Sequence, residues 1–309
     1  MAGLTMRKFR DIILDGNRVQ KGTLLSSAGG VLPPAAFTEF YQRIQTGKAA
    51  FGTLTMHTLT RPQQELHHLT MAARQMRAAN PGTAIASGTL TPVERTLDPT
   101  AALVVLDVSY DWINDNADER DADQVIRDYL ADYVQGEILD LMGNGDGTTA
   151  SFLSINKGFP VLLAADSDSD VKSYDATNAT MLGASGILAK TRDAQTDTQY
   201  RDGGIFRMSV AEFDQFIDEL GSRATLLGDA ALKAGGPVSW QGYDVVGIPK
   251  WPNDKIVFGP KWNFHMGLWH QVKITARDIE EEDIVRYVVR TRFDLNYANG
   301  AASVYGTTD

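Results

Sequence analysis

A chain of 309 residues, 43% hydrophobic, with a formal net charge of −10 and no cysteine excludes several classes at once. Without cysteine there are no disulfides, thiolate metal sites or cysteine nucleophiles, as suits folding in a reducing cytoplasm, and the acidity opposes sequence-independent binding of nucleic acid, which rests on neutralising phosphates. No run of eighteen apolar residues offers a spanning helix, and the N-terminus lacks the apolar stretch and cleavage site of a signal peptide.

The length allows one large or two ordinary domains. Residues 1–30 read as an arm: an amphipathic piece at 6–14 is followed by Gly16, Gly22, Ser26, Ser27, Gly29 and Gly30. That density of small residues predicts an extended tail, either a loosely packed terminus or an arm docked on a neighbouring subunit. Pro33 and Pro34 fit a helix start. Phe37, Phe40, Tyr41 and Ile44 share one face of a short helix that ends at Gly47.

Residues 53–60 largely alternate polar and apolar side chains, as a strand does. Residues 101–110, rich in β-branched and apolar side chains, predict another. The segment between has little apolar periodicity and is punctuated by Pro81, Gly82, Gly88, Pro92 and Pro99. A stretch of that length with no core of its own is unusual inside a compact domain. Two strands joined by a distant tip would account for it, as a hairpin projecting from the body; the alternative is a solvent-exposed insertion. An isolated hairpin is unstable in water, so a projecting one needs another surface to lie on.

The strongest element follows. Val125, Ile126, Tyr129, Leu130, Tyr133, Val134, Ile138, Leu141 and Met142 recur at gaps of three and four, the spacing of one helical stripe. Asp118, Glu119, Asp121 and Asp123 complement the positive end of the helix dipole, and Asn116 or Asp118 can cap it. Gly143, Asn144, Gly145, Asp146 and Gly147 stop it. A helix over 119–142 would be roughly 36 Å long. Gly136, inside it, costs about 1 kcal/mol relative to alanine, and is expected either to let another backbone approach closely or to be a tolerated glycine.

Beyond the glycines, residues 159–163 (FPVLL) read as an apolar strand, then comes a polar loop, and 178–196 read as helical through Met181, Leu182, Ile187 and Leu188. Ser209 and Glu212 form a capping box for a helix from Val210 to Gly221, with Phe213, Phe216, Ile217 and Leu220 as its buried face. Residues 236–258 predict short strands and turns, and 271–305 alternate as long strands. The class is α+β: strands far apart in sequence, one long helix, and no βαβ rhythm.

The candidates for chemistry fail on spacing. Asp166, Asp168 and Asp170 copy the opening of a calcium loop, but Val171 stands where glycine is needed and Thr177 where a bidentate glutamate is needed. His67 and His68 would point apart on a strand, and with His57 they make no zinc spacing. The glycine two residues after the serine of a nucleophile elbow is absent around Ser185. GNGDG lacks the lysine of a phosphate loop. Trp251, Trp262, Phe264 and Trp269 read as core or interface. Asp278, Glu280, Glu281, Glu282 and Asp283 read as a solvated turn, or as partners for a neighbour's arginines. No catalytic, cofactor-binding or metal residues are expected, and a hydrolase built on paired carboxylates finds no constellation to support it.

The ordered set resembles the major capsid protein of tailed bacteriophages, with its Hong Kong 97-type fold. The resemblance rests on GGVLPPAAFTEFYQRI after the arm, on the hairpin segment, and on the strand, helix and glycine turn from ALVVLDVSYDW to GNGDG. It also rests on FGPKWNFHMGLWHQVKI followed by DIVRYVVRTRFDLNYANGAASVYG. It implies an N-terminal arm and short helix at 1–48, a projecting E-loop hairpin at 49–108, and a P-domain with its spine helix at 109–146. An A-domain at 147–265 and return strands of both domains at 266–309 complete the division. The implied function is a self-assembling shell of hexamers and pentamers enclosing double-stranded DNA in a virion. Assembly would take place in the host cytoplasm, with no membrane contact, with portal, scaffolding and decoration proteins as partners, and without catalysis or cofactor. An encapsulin-like compartment, which shares the fold, would enclose protein instead. Some relatives weld subunits through an E-loop lysine. Between Phe51 and Ile113 this chain has only Arg61, Arg74, Arg77 and Arg95, and arginine, always charged, cannot be that nucleophile. No covalent crosslink is therefore expected. With the arm beginning at Met1, scaffolding is expected from a separate protein.

Overall fold

The computed structural model describes residues 49–71, 90–112, 122–148, 152–166, 172–175, 180–222, 238–269 and 273–308. The arm, the short helix expected after Pro34, the hairpin tip, Asn116, Asp118, Asp168, Asp170, Val171 and Thr177 lie outside the described residues. The strands in chain order are β1 (Thr55–Leu59), β2 (Gln64–Met71), β3 (Leu90–Leu97), β4 (Thr100–Ser109), β5 (Lys172–Asp175), β6 (Gly204–Ser209), β7 (Val238–Trp240), β8 (Tyr243–Ile248), β9 (Lys255–Pro260), β10 (Phe264–Trp269), β11 (Lys273–Ile279), β12 (Ile284–Tyr297) and β13 (Val304–Thr307). The helices are α1 (Ala122–Asn144), α2 (Phe159–Ala164), α3 (Ile187–Ala194), α4 (Thr198–Arg201) and α5 (Val210–Gly221).

Two sheets carry the molecule. In the first, β12 pairs with β4 along one edge, from Ile284↔Ser109 to Phe293↔Thr100. Along its other edge it takes β11 and then β10, and β1 adds in parallel to β10. Strict alternation along β12 buries Val285, Tyr287, Val289, Thr291, Phe293, Leu295 and Tyr297, so one sheet face is apolar and must be covered. Helix α1 covers it: Ile126, Leu130, Val134, Ile138 and Leu141 share a core with those strand residues. The second sheet runs β5-β13-β9-β6-β8-β7, with α3 and α5 contributing Leu188 and Phe216 to its own core. The chain visits the first sheet, leaves to build the second, returns for β10 to β12, and ends in the second with β13.

Helix α1 departs from the expected stripe. Tyr129 and Tyr133 are 55% and 46% exposed. They sit one residue before Leu130 and Val134, about 100° round the helix. The buried arc extends the other way, through Ala131, Gln135, Leu139 and Met142. Gly136 matches the second of its two readings, a tolerated glycine: a Cβ built on it would meet nothing within 4 Å, so no backbone approaches it among the described residues. Gly136→Ala is expected to raise the stability of the isolated subunit by about 1 kcal/mol, read from thermal unfolding; a loss would place a close neighbour there. Gly145 is different. A Cβ there would run into the carbonyls of Leu141 and Asn156, and its own N–H closes the last turn on Leu141 O at 3.0 Å.

Two further expectations are corrected. Residues 159–163 form α2, not a strand: Gly158 is its N-cap and Pro160 sits in the first turn, where the missing N–H costs nothing. A four- or five-residue apolar run does not separate a strand from a buried helix. Helix α3 begins only at Ile187, because Gly183 turns the chain with φ +109°. The amides of Met181 and Leu182 donate instead to the two carboxylate oxygens of Glu219, each at 2.8 Å. The capping box of α5 forms as expected, with Glu212 N donating to Ser209 Oγ at 3.2 Å and Ser209 N donating to Glu212 Oε2 at 3.1 Å.

Candidate assembly surface

Residues 49–108 divide into parts with different roles. β1 and β4 at the two ends belong to the first sheet, while among the described residues β2 and β3 pair only with each other, from Gln64↔Leu97 to Met71↔Leu90. The root of this hairpin is fixed to the body. Leu59, Leu66 and Leu97 make a small core with Trp269. Gly267 admits them, since a Cβ there would come within 2.6 Å of Leu59 Cδ1. Asp98 N donates to Asp294 Oδ2 at 2.7 Å, and Asn296 Nδ2 donates to Thr96 O at 2.8 Å. Arg95 pairs with Asp166 at 2.9 Å and lies over the Tyr297 ring at 4.1 Å. Further out, His68 stacks on Trp262 and hydrogen-bonds Asn299 at 3.0 Å. Asn299 is fixed in turn by the buried Asn263, which accepts from Asn299 N at 2.7 Å and donates to Asn299 O at 2.9 Å. On the hairpin's outward face Glu65, His67, Glu94 and Thr96 are exposed. Surface pairs such as His67–Glu65, with both side chains more than half exposed, contribute little. The hairpin is thus anchored at its base, with one face left uncovered.

A second uncovered surface lies between α1 and β4. Of the eight large hydrophobic side chains that stand exposed among the described residues, Trp112, Tyr129, Tyr133 and Phe152 line two depressions there, of about 430 and 170 Å3, while Leu103 and Val105 stand on the other face of the sheet, level with Arg290 and Val288. β4 is an edge strand, pairing only with β12 among the described residues. An exposed apolar edge of ten residues is a template for association, and soluble monomers rarely leave such patches open.

The titratable groups are built into the frame rather than gathered in a cleft. His57 and His265 lie on neighbouring strands, with Nε2 and Nδ1 2.8 Å apart. Burial, together with the charge of His57, pushes His265 down to about 4, and burial also lowers His57. Arg207 is fully buried, and desolvation pulls it down to about 9. Glu212 is raised to about 7, chiefly by burial. Asp166 serves Arg95 and Tyr297. Ser185 sits on an exposed turn. Trp251 and Phe264 are buried and Trp269 half-buried, whereas Trp262 is exposed beneath His68. Glu280–Glu282 form an exposed 3-10 turn, with Glu282 3.7 Å from Arg286. Among the described residues no group of three or more His, Asp or Glu is placed to hold a metal ion, and no helix is long and apolar enough to cross a membrane. The pairing partners of His57 and Arg207 were not visible in the sequence, because only the strand register reveals them.

No known protein family matches the chain's sequence, and no curated protein matches it. Solved structures do. The procapsid of satellite phage P4 with its size determination (Sid) protein superposes with a TM-score of 0.66 at 11% identity, covering 91% of this chain and 93% of that one. The capsid of the native GTA particle follows at 0.61 and 14% identity, over 83% and 88%. The Mycobacterium phage Cain structure gives 0.54 and 12%, over 99% and 98%.

Proposed function

We propose that this chain, which has the Hong Kong 97-type fold of tailed-phage capsid proteins, is the major structural subunit of such a shell. The observation that carries the reading is the likeness to solved capsid structures over most of both chains. Copies arranged as hexamers and pentamers would form an icosahedral head around double-stranded DNA, assembled in the host and resident in the virion. Portal, scaffolding and decoration proteins are the expected partners. The arm, E-loop, P-domain and A-domain division at 48, 108, 146 and 265 is proposed with it. The subunit performs no catalysis in this reading, and without a lysine between Phe51 and Ile113 neighbouring subunits hold together non-covalently.

The physical support is incompleteness. Among the described residues the hairpin leaves one face bare, and an apolar depression flanks the open edge of β4; both are stabilised once another copy covers them. In this reading the hairpin lies across the neighbour's P-domain. Obligate interfaces of this type bury on the order of 2,000–5,000 Å2, enough to offset the ordering of such segments. Removal of residues 70–91 takes away the tip and leaves the anchored root with its Leu59, Leu66 and Leu97 core. Electron microscopy of the purified full chain is expected to show closed particles. The shortened variant is expected to give folded subunits, with an unchanged circular dichroism spectrum, and no shells. Normal shells from it would remove the hairpin from the assembly contacts, and a solitary full-length chain at high concentration would remove the capsid reading.

A further inference from the structure

Among the described residues, β4 has the one long free strand edge without the usual guards. Proteins blunt such edges with lysine, proline, other charges or shortness, and the remaining free edges among the described residues follow that rule. β11 carries Lys273 and Arg277, β3 carries Pro92 and β2 carries Glu65, while β1, β5 and β7 are five, four and three residues long. β4 runs for ten residues, Thr100–Ser109, with no proline, glycine, lysine or arginine. Its single charge, Asp107, is engaged by Arg286 through two bonds, at 2.6 and 2.8 Å. Six of the eight exposed large hydrophobic side chains among the described residues flank this edge. Leu103 and Val105 stand on one sheet face, and Trp112, Tyr129, Tyr133 and Phe152 on the side of α1.

The edge complements itself. In an antiparallel pair, directly opposed residues share a sheet face. Two copies of β4 related by a two-fold axis through Val104 set Leu103 opposite the partner's Val105, and Val105 opposite the partner's Leu103. These four side chains close into one apolar cluster, extended by Val288, which stands level with Val105. In the same register Ala101 opposes the partner's Asp107. Ala101 is level with Arg292 on β12, so that carboxylate stands two strand spacings, about 10 Å, from a second arginine, with only a methyl group between. No like charges are opposed. On the other face Tyr129 and Tyr133, exposed beside the edge, come next to their own counterparts. We propose that two copies of this chain pair edge to edge through β4, joining their first sheets into one continuous sheet with both α1 helices on the same face. Such a contact is isologous, each copy offering the same patch. The pairing goes beyond the shell reading and does not rest on it.

The sequence has no cysteine, so single cysteines report the register. Leu103→Cys and Val105→Cys each set their two thiols on a diagonal of about 7–8 Å, within reach of a short bis-maleimide. Ala101→Cys, at an equally exposed position, sets them six residues out of register, roughly 20 Å apart at about 3.4 Å per residue. Full chains at dilute concentration are expected to give linked dimer at positions 103 and 105 at least about tenfold faster than at 101, the advantage of a held over a chance encounter. Light scattering is expected to show dimers of the unaltered chain. Leu103→Lys with Val105→Lys replaces exposed side chains and spares the core. It is expected to raise the dissociation constant at least about tenfold, by opposing like charges, with an unchanged circular dichroism spectrum. Equal linking at all three positions, monomers of the unaltered chain, or dimers indifferent to both lysines would overturn the inference, the last by giving the edge to some other segment. None of these results touches the shell reading, which closed particles decide.

Discussion

Replacing Arg207 with methionine is expected to lower stability by about 3 kcal/mol, from two buried acceptors left bare at about 1–3 kcal/mol each. Arg207 is 0% exposed, and its guanidinium is held by oxygens of neutral groups. Nη2 donates to Thr53 O at 2.7 Å, Nε to Thr53 Oγ1 at 3.2 Å and Nη1 to Gly259 O at 3.1 Å. The plane lies over the Phe264 ring at 4.1 Å. Methionine fills the space but donates nothing, so the carbonyls of Thr53 and Gly259 lose this partner. Removing a desolvated charge offsets part of that loss, which is why the expected figure sits inside the range and not at the sum. Arg207→Lys keeps the charge but not the fork and is expected to cost nearly as much.

The position of Arg207 makes the effect larger than local. It stands on β6 in the second sheet, and Thr53 is the end of the 3-10 turn that leads into β1 of the first. The bond therefore couples the two sheets. Calorimetry is expected to show one cooperative transition in the unaltered protein and two separated ones in Arg207→Met. A single transition within 1 kcal/mol of the unaltered protein would mean that water or a relaxed backbone satisfies the carbonyls.

Much of this frame was legible in the sequence because its determinants are local or periodic. The α5 capping box needs only Ser209 and Glu212 three residues apart, and it forms. The β12 strand announces itself by alternation, β4 by its β-branched and apolar residues, and α1 by its three- and four-residue gaps. What failed was whatever depends on a partner far along the chain. The sequence pattern assigned Tyr129 and Tyr133 to the buried stripe since they are apolar at helical spacing; only the sheet position decides which arc of α1 is covered. FPVLL carried no signal to separate strand from helix beyond Gly158 and Pro160. The exposed face bearing Leu103 and Val105 was invisible for the same reason. A strand pattern shows two faces but not which one stays open.

The second large effect is on pH dependence, and its signature is a cancellation. His265 titrates at about 4 in the folded chain, against 6.5 when unfolded. Between those values the unfolded chain binds more protons, so this group's contribution is fully present above pH 6.5 and is lost as pH falls toward 4. At 1.36 kcal/mol per pH unit that amounts to about 3 kcal/mol, and His57, also lowered, adds in the same direction. Glu212 has the opposite sign. Its value of about 7 lies above the 4.5 of the unfolded chain, so the folded state binds more protons between 4.5 and 7. Its contribution is present at the acid end and is lost as pH rises through 7, again by about 3 kcal/mol.

The unaltered protein is therefore expected to change little in stability from pH 7 to 4.5, with a small net loss from His57. Each substitution exposes the other group. Glu212→Gln keeps the acceptor for Ser209 N, at 3.1 Å, and removes the titration. Its stability is expected to fall by about 3 kcal/mol on acidification. His265→Gln breaks the contact between the two imidazoles, and its stability is expected to rise by a similar amount over the same range. The double variant is expected to return to a nearly flat profile, offset in absolute stability. Denaturant midpoints measured at half-unit steps of pH would read all four curves. Parallel curves for the unaltered protein and both single variants would mean that neither buried group is linked to folding. Opposite slopes would show that the β1–β10 joint at the hairpin's root and the start of α5 take up protons against each other.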